Sequence, residues 1–226
     1  MLRRVAVFVV AWALAVPASA QLDKISNQDA VAGLKAALDK GAVYAVDTLG
    51  RKDGFFGDPR VKIPLPKSLQ SAEKLMRTLG MGRSADELIL TMNRAAEAAV
   101  PEAKQLLVDS VKKMTVRDAK DILTGSDTAA TAYFRRTTQD QLRARFLPIV
   151  KRSTEKVGLA QTYNEYAGEA ARFGLIKKEN ANLDAYVTEK ALDGLYFMIG
   201  EEEKKIRRDP VGSASSIIKK VFGAIR

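Results

Sequence analysis

The sequence predicts an all-α protein, a single-domain bundle of several helices with a long Gly/Pro-containing loop after the first of them. Three observations carry this expectation. Apolar residues recur every three or four positions in nearly every segment, which places them on one helix face. Helix start and stop residues punctuate those segments. No alternating strand pattern runs longer than Val61-Lys62-Ile63, and neither an internal repeat nor a low-complexity linker occurs.

Residues 1–20 are expected to be a leader rather than part of the fold. Arg3 and Arg4 make a positive start, Val5 to Pro17 is almost wholly apolar, and Ala18-Ser19-Ala20 offers the small side chains that a signal peptidase accepts. The apolar run is shorter than the roughly 20 residues that cross a bilayer as a helix. The expectation is therefore a signal peptide over 1–20, one helical domain over 21–226, and a periplasmic or secreted product cleaved near Ala20.

The first helix of that domain is expected from Ser26 to Gly50, with Val31, Leu34, Leu38, Ala42, Ala45 and Leu49 on one face. A loop from Gly50 to Lys67 follows, in which Phe55 and Phe56 either plug the core or form a lid. A short helix carries Leu69, Leu75, Met76 and Leu79 and ends at Gly80. Ser84 and Glu87 have capping-box spacing before the stripe Leu88, Met92, Ala95 and Ala99. Pro101 suits the first turn of the next helix, which presents Leu106, Leu107, Val111 and Met114.

Thr115 and Asp118 open a short helix that Gly125 stops. Ser126 is expected to cap a segment through Phe134, and Thr138 with Gln141 to open a separate helix through Leu142, Phe146, Ile149 and Val150, bent at Pro148. Two helices are expected after Gly158, from Gln161 to Phe173 and from Leu183 to Arg207. The Leu183 helix has the broadest apolar surface and is expected at the centre of the bundle, and its Gly194 and Gly200 suggest a neighbouring helix close by. An amphipathic helix from Ser213 to Ile225 ends the chain.

Composition excludes several chemistries. The chain has no Cys and no His, so disulfides, thiol nucleophiles and a Ser-His-Asp triad are ruled out, and a zinc centre lacks its usual ligands. No metal or cofactor is implied. The net charge is +10, and +8 once Arg3 and Arg4 are removed. A basic surface suits an anionic small molecule, a lipid or an envelope polymer, and equally serves solubility; no specific nucleic-acid motif is present.

Five stretches carry a family likeness: Asp53-Gly54-Phe55-Phe56, Lys62-Ile63-Pro64-Leu65-Pro66, Met92 to Ala103, Tyr133 to Thr138 and Tyr186 to Leu195. With their spacing, the chain resembles the bacterial domain of unknown function 4197 family. That resemblance implies an exported helical protein and brings no catalytic residues with it.

Two groups of residues are candidates for function. Arg135, Arg136, Thr137 and Thr138 sit where a new helix is expected to begin, and free N–H groups with forked guanidinium donors would hold an anion there. The alternative is that both arginines pair internally with acids such as Glu97, Asp140 or Glu189. The other group joins Asn93, Arg94 and Glu97 on one helix to Tyr186, Glu189, Lys190 and Asp193 on another. If the two edges face each other, they form a packing lock or line a cleft.

Ser-x-x-Lys occurs four times without the companion motifs of serine acylases, and Glu201-Glu202-Glu203 reads as a solvated helix face. The leading expectation is an exported, non-catalytic binding or interaction protein of the cell envelope that holds an anionic ligand. One alternative is a hydrolase or lyase built on carboxylates, Tyr and Arg, with Glu97, Glu189 or Asp193 at work beside Tyr133 or Tyr186. The other is a peripheral membrane protein attached through its basic C-terminal helix.

Overall fold

The computed structural model describes residues 26–78, 80, 82–156, 158, 160, 161, 163, 164, 172, 182–210 and 215–223. The expected leader, the side chains of Leu75 and Met76, Leu79, and most of the segment from Gln161 to Phe173 lie outside the described residues. Every regular element described is helical.

Helix α1 spans Asn27–Leu49, and Ser26 caps it by accepting from the Asp29 amide at 3.0 Å. Helix α2 (Lys67–Thr78) is separated from α3 (Gly82–Ala99) by Gly80, whose φ of 75° suits a residue without a Cβ. Because α3 already begins at Gly82, Ser84 lies inside it, and the expected cap of Ser84 and Glu87 is replaced by an earlier start. Its stripe holds: Leu88, Met92, Ala95 and Ala99 are fully buried.

Pro101 falls in a 3-10 turn (Val100–Glu102) that leads into α4 (Ala103–Lys113). Helix α5 (Val116–Thr124) starts at Thr115 and Asp118 as expected, and the two close a reciprocal capping box at 3.1 and 3.0 Å.

One expectation fails outright. Residues from Ala129 to Thr154 form a single 26-residue helix, α6, so Ser126 does not cap it and no helix begins at Thr138. The Thr138 hydroxyl instead bonds back to the Phe134 carbonyl at 2.6 Å and meets the Tyr196 hydroxyl at 2.9 Å. Local capping preference is weak against packing along a whole helix, and α6 lies against α7 (Leu183–Arg208), the most extensive pairing among the described helices.

Helix α7 packs on α1, α3 and α6, as its broad apolar surface requires. Asn182 caps it through the Ala185 amide at 2.9 Å. Near its other end Glu203 reaches across to cap α6. Its carboxylate accepts from the Ala130 and Thr131 amides at 2.9 Å each, and Arg207 pairs with it at 3.0 Å. The Glu201 to Glu203 run is thus not a solvated face: Glu202 and Glu203 are buried.

Helix α8 (Ser216–Gly223) lies on α1 with Ile218, Val221 and Phe222 buried. A Cβ at Gly33 would stand 2.5 Å from Val221, so this contact depends on the absent side chain. The buried apolar residues of all these elements form one continuous cluster. No described helix is long and apolar enough to cross a membrane.

Candidate functional site

The most informative region is the segment between α1 and α2, residues 50–66. Its first half turns sharply. Asp53 takes a left-handed φ of 65°, and a Cβ at Gly54 would come within 2.5 Å of the Thr48 and Leu49 carbonyls. The Asp-Gly pair therefore answers a backbone demand. The turn delivers Phe55 into the core, where it is fully buried. Its ring edge lies where a Cβ on Gly194 would be, at 2.6 Å, so the close neighbour of Gly194 is this loop and not another helix.

The other half leaves a turn closed on the Asp58 carbonyl and runs on without regular structure, its residues alternating between core and surface. Val61, Ile63 and Leu65 point inward and are buried, while Arg60, Lys62 and Pro64 are exposed. The backbone of such a segment needs partners when it lies on a core. Asn93 supplies them: its amide oxygen accepts from the Ile63 N–H at 2.8 Å, and its amide nitrogen donates to the Ile63 carbonyl at 2.9 Å. Glu97 accepts from the Phe55 and Phe56 amides at 3.1 Å each and pairs with Arg94 at 2.6 Å. Arg94 also reaches Asp53 at 2.7 Å. From α7, the Tyr186 hydroxyl donates to the Pro64 carbonyl at 3.0 Å, and burial pushes its pKa up to about 12, which keeps that donor protonated.

The two polar edges therefore do not face each other as a charged network. Asn93, Arg94 and Glu97 hold one part of the loop, and Tyr186 holds another. Glu189 pairs instead with Arg143, which Asp140 also contacts at 2.7 Å, and these acids raise the Arg143 pKa. Asp193 lies 3.3 Å from Arg135 and 3.7 Å from Lys190.

The four residues expected to form an anion pocket are satisfied within the bundle. Arg135 pairs with Asp193 and lies 4.7 Å from the Tyr196 ring centre; Arg136 lies 3.6 Å from Asp118 and 5.5 Å from the Tyr133 ring. The Thr137 hydroxyl bonds to the Tyr133 carbonyl at 2.9 Å and meets Ser110 at 2.7 Å. With α6 continuous, the free N–H groups that an anion would need are absent at Thr138. The acid–base candidates fare similarly, since Glu97, Glu189 and Asp193 each have a cationic partner. Tyr133 donates to the Ser110 carbonyl at 2.9 Å. Among the described residues no cluster of three or more acids is placed to hold a metal ion.

A different feature is open. Between the outer edge of the loop and α7 runs a groove of about 630 Å³. Four cations line it (Arg60, Lys62, Lys67 and Lys190) against one carboxylate, Asp193. Arg60 is tied to Asp58 at 2.6 Å, and Lys190 to Asp193. Lys62 and Lys67 have no acid within ion-pair distance among the described residues; Lys62 lies 4.0 Å from the Phe56 ring centre. Phe197, 39% exposed, forms part of the wall with Tyr186.

Sequence reasoning placed Tyr186, Lys190 and Asp193 together but missed Arg60, Lys62, Lys67 and Phe197. The signal was the short alternation at Val61-Lys62-Ile63, which marks a segment showing its cations on one side.

These elements define an all-helical bundle with a buried-in loop and a basic groove beside it. The family model described as protein of unknown function (DUF4197) matches residues 24–223, and the chain belongs to that family. The stretches that carry the family likeness include the loop and the residues of α3 and α7 that hold it. No curated protein and no solved structure matches the chain.

Proposed function

We propose that the protein is an exported, non-catalytic binding protein of the cell envelope and that it takes an anionic ligand in the groove between residues 60–67 and α7. The single observation that carries this reading is a basic wall in which Arg60 and Lys190 have acid partners while, among the described residues, Lys62 and Lys67 have none within ion-pair distance. Such a wall attracts anions and favours their retention, because among the described residues no ion pair at Lys62 or Lys67 has to be broken first. The leader-like residues 1–20 support export. The anion pocket expected around Arg135 and Arg136 forms no part of the proposal, since its donors are engaged. The buried face of α8 leaves no observation in favour of membrane attachment through that helix.

The test is a nuclear magnetic resonance titration of the purified chain with gluconate and with inorganic phosphate. Shifts should centre on Lys62, Lys67 and Lys190 and vanish in the Lys62→Ala/Lys67→Ala/Lys190→Ala variant, while Arg135→Ala/Arg136→Ala still binds. No shift with either anion, or loss only in the arginine variant, overturns the assignment. Export is checked separately by fractionation and by mass spectrometry of the mature terminus, expected at Gln21.

A further inference from the structure

Another groove, of about 550 Å³, adjoins the first and shares Arg60 with it. It runs between α1 and the C-terminal half of α7, and its character is different. Its four cations, Arg60, Lys204, Lys205 and Arg208, are interleaved with Glu201, Glu202 and Asp209. Lys204 pairs with Glu201 at 3.0 Å and Lys205 with Glu202 at 3.5 Å. Tyr44 stands in it 44% exposed, with Lys205 at 5.8 Å from the ring centre. The first groove has the same pairing of parts in Phe197, with Arg60 at 6.0 Å.

We infer that the ligand is an oligosaccharide-like chain carrying its negative charge at one end, that end lying among Lys62, Lys67 and Lys190 and the neutral, hydroxyl-rich remainder passing Arg60 to stack on Tyr44. This inference rests on the anion-binding reading of the first groove and adds direction and chemistry to it. The charge asymmetry gives the direction. A uniformly charged polyanion, such as a single-stranded nucleic acid, would find cations in clear excess only in the first groove, because in the adjoining one Arg60, Lys204, Lys205 and Arg208 are nearly balanced by Glu201, Glu202 and Asp209. The chemistry follows from the pairing of Glu201 and Glu202. Neutralised by their lysines, they offer acceptors beside ammonium donors, with no net charge to attract a cation. Alternating donors and acceptors around a flat exposed ring match a sugar, whose hydroxyls need both kinds of partner and whose C–H face packs on an aromatic surface.

The experiment uses the full chain as purified and four kinds of probe: the aldonic acids of cellotetraose, maltotetraose and tetra-N-acetylchitotetraose, each with one terminal carboxylate; the corresponding neutral tetrasaccharides; gluconate, which has the charge alone; and a thymidine oligonucleotide. At least one of these aldonic acids should bind ten-fold or more tightly than both gluconate and its own neutral parent by isothermal titration calorimetry. Tyr44→Ala should reduce it to the level of gluconate while leaving gluconate unaffected. If gluconate binds at the first groove but none of the three acids binds better, the extension into the adjoining groove is wrong and the first groove stands. If the oligonucleotide binds more tightly than all three acids, or Tyr44→Ala changes nothing, the inference is overturned. Failure of gluconate and of inorganic phosphate to bind at all removes the anion reading beneath it.

Discussion

The two sides of the 50–66 segment follow opposite rules. On its inner side each polar group considered has a partner: the Ile63 amide and carbonyl meet Asn93, the Phe55 and Phe56 amides meet Glu97, and the Pro64 carbonyl meets Tyr186. On its outer side Lys62, with Lys67 just past its end, faces the groove with no acid within ion-pair distance among the described residues. A buried donor without an acceptor costs about 1–3 kcal/mol, whereas an exposed lysine is hydrated and costs nothing to leave unpaired. The difference teaches which side holds the fold and which is free to serve a ligand.

The comparison breaks most severely if its inner side is emptied. Asn93→Ala strands both backbone groups of Ile63, and Glu97→Ala strands two amides and leaves Arg94 with Asp53 alone. Each should destabilise by about 3 kcal/mol. At about 2–4 °C per kcal/mol for a chain of this size, calorimetry should show the midpoint falling by some 6–12 °C. A loss below about 1 kcal/mol in either variant would mean that the loop is not held as described. Next in size is Gly194→Ala, whose new methyl enters the space of the fully buried Phe55 ring. Overpacking of this kind costs about 1–3 kcal/mol, and Phe55→Leu in the same chain should recover part of it. Additive losses in the double variant would argue against the contact.

Much of this architecture is legible in the sequence because helices announce themselves locally. Ser26, Thr115, Asp118 and Gly125 act where spacing places them, and the stripe of α3 is buried as expected. Thr138 misled because a Thr followed three residues later by Gln resembles a helix start, yet its hydroxyl is spent on Phe134 and Tyr196 within the helix. Only packing against α7 decides between those outcomes. Asn93, Glu97 and Tyr186 were visible as polar residues out of place on apolar helices, but their partner could not be read. The loop groups they bond lie 30 or more residues away along the chain and belong to the backbone, which carries no sequence signature.

Asp39 sharpens the comparison from another direction, because it is a partly buried carboxylate that lacks what Glu97 has. Its Oδ1 is buried with no hydrogen-bond partner among the described residues, and burial raises its pKa despite attraction from Lys112 and Lys35. A carboxyl whose pKa is higher in the folded than in the unfolded chain binds its proton more tightly when folded. The native state then loses stability as pH rises from the usual carboxylate range through the raised value. Asp39→Asn should therefore raise the melting midpoint slightly at pH 7, and the gain should fade as pH drops below that range. A gain that persists unchanged at low pH would assign the effect to something other than ionisation.

The smallest effect is expected on the outer side of the loop, and it is also the most discriminating. Lys62→Ala and Lys67→Ala remove exposed side chains that pair with no acid among the described residues, so each should shift stability by less than about 0.5 kcal/mol. Lys62 gives up its contact with the Phe56 ring, a term of about 0.5–1 kcal/mol at most for an exposed cation, while removing positive charge from a crowded basic wall offsets part of that loss. Melting curves superimposable on the parent, measured beside the large shifts of Asn93→Ala and Glu97→Ala, would establish that the cations of the groove are not there for the fold. A shift of about 2 kcal/mol or more at either lysine, the size of a buried-contact loss, would place them among the structural contacts and close the difference between the two sides.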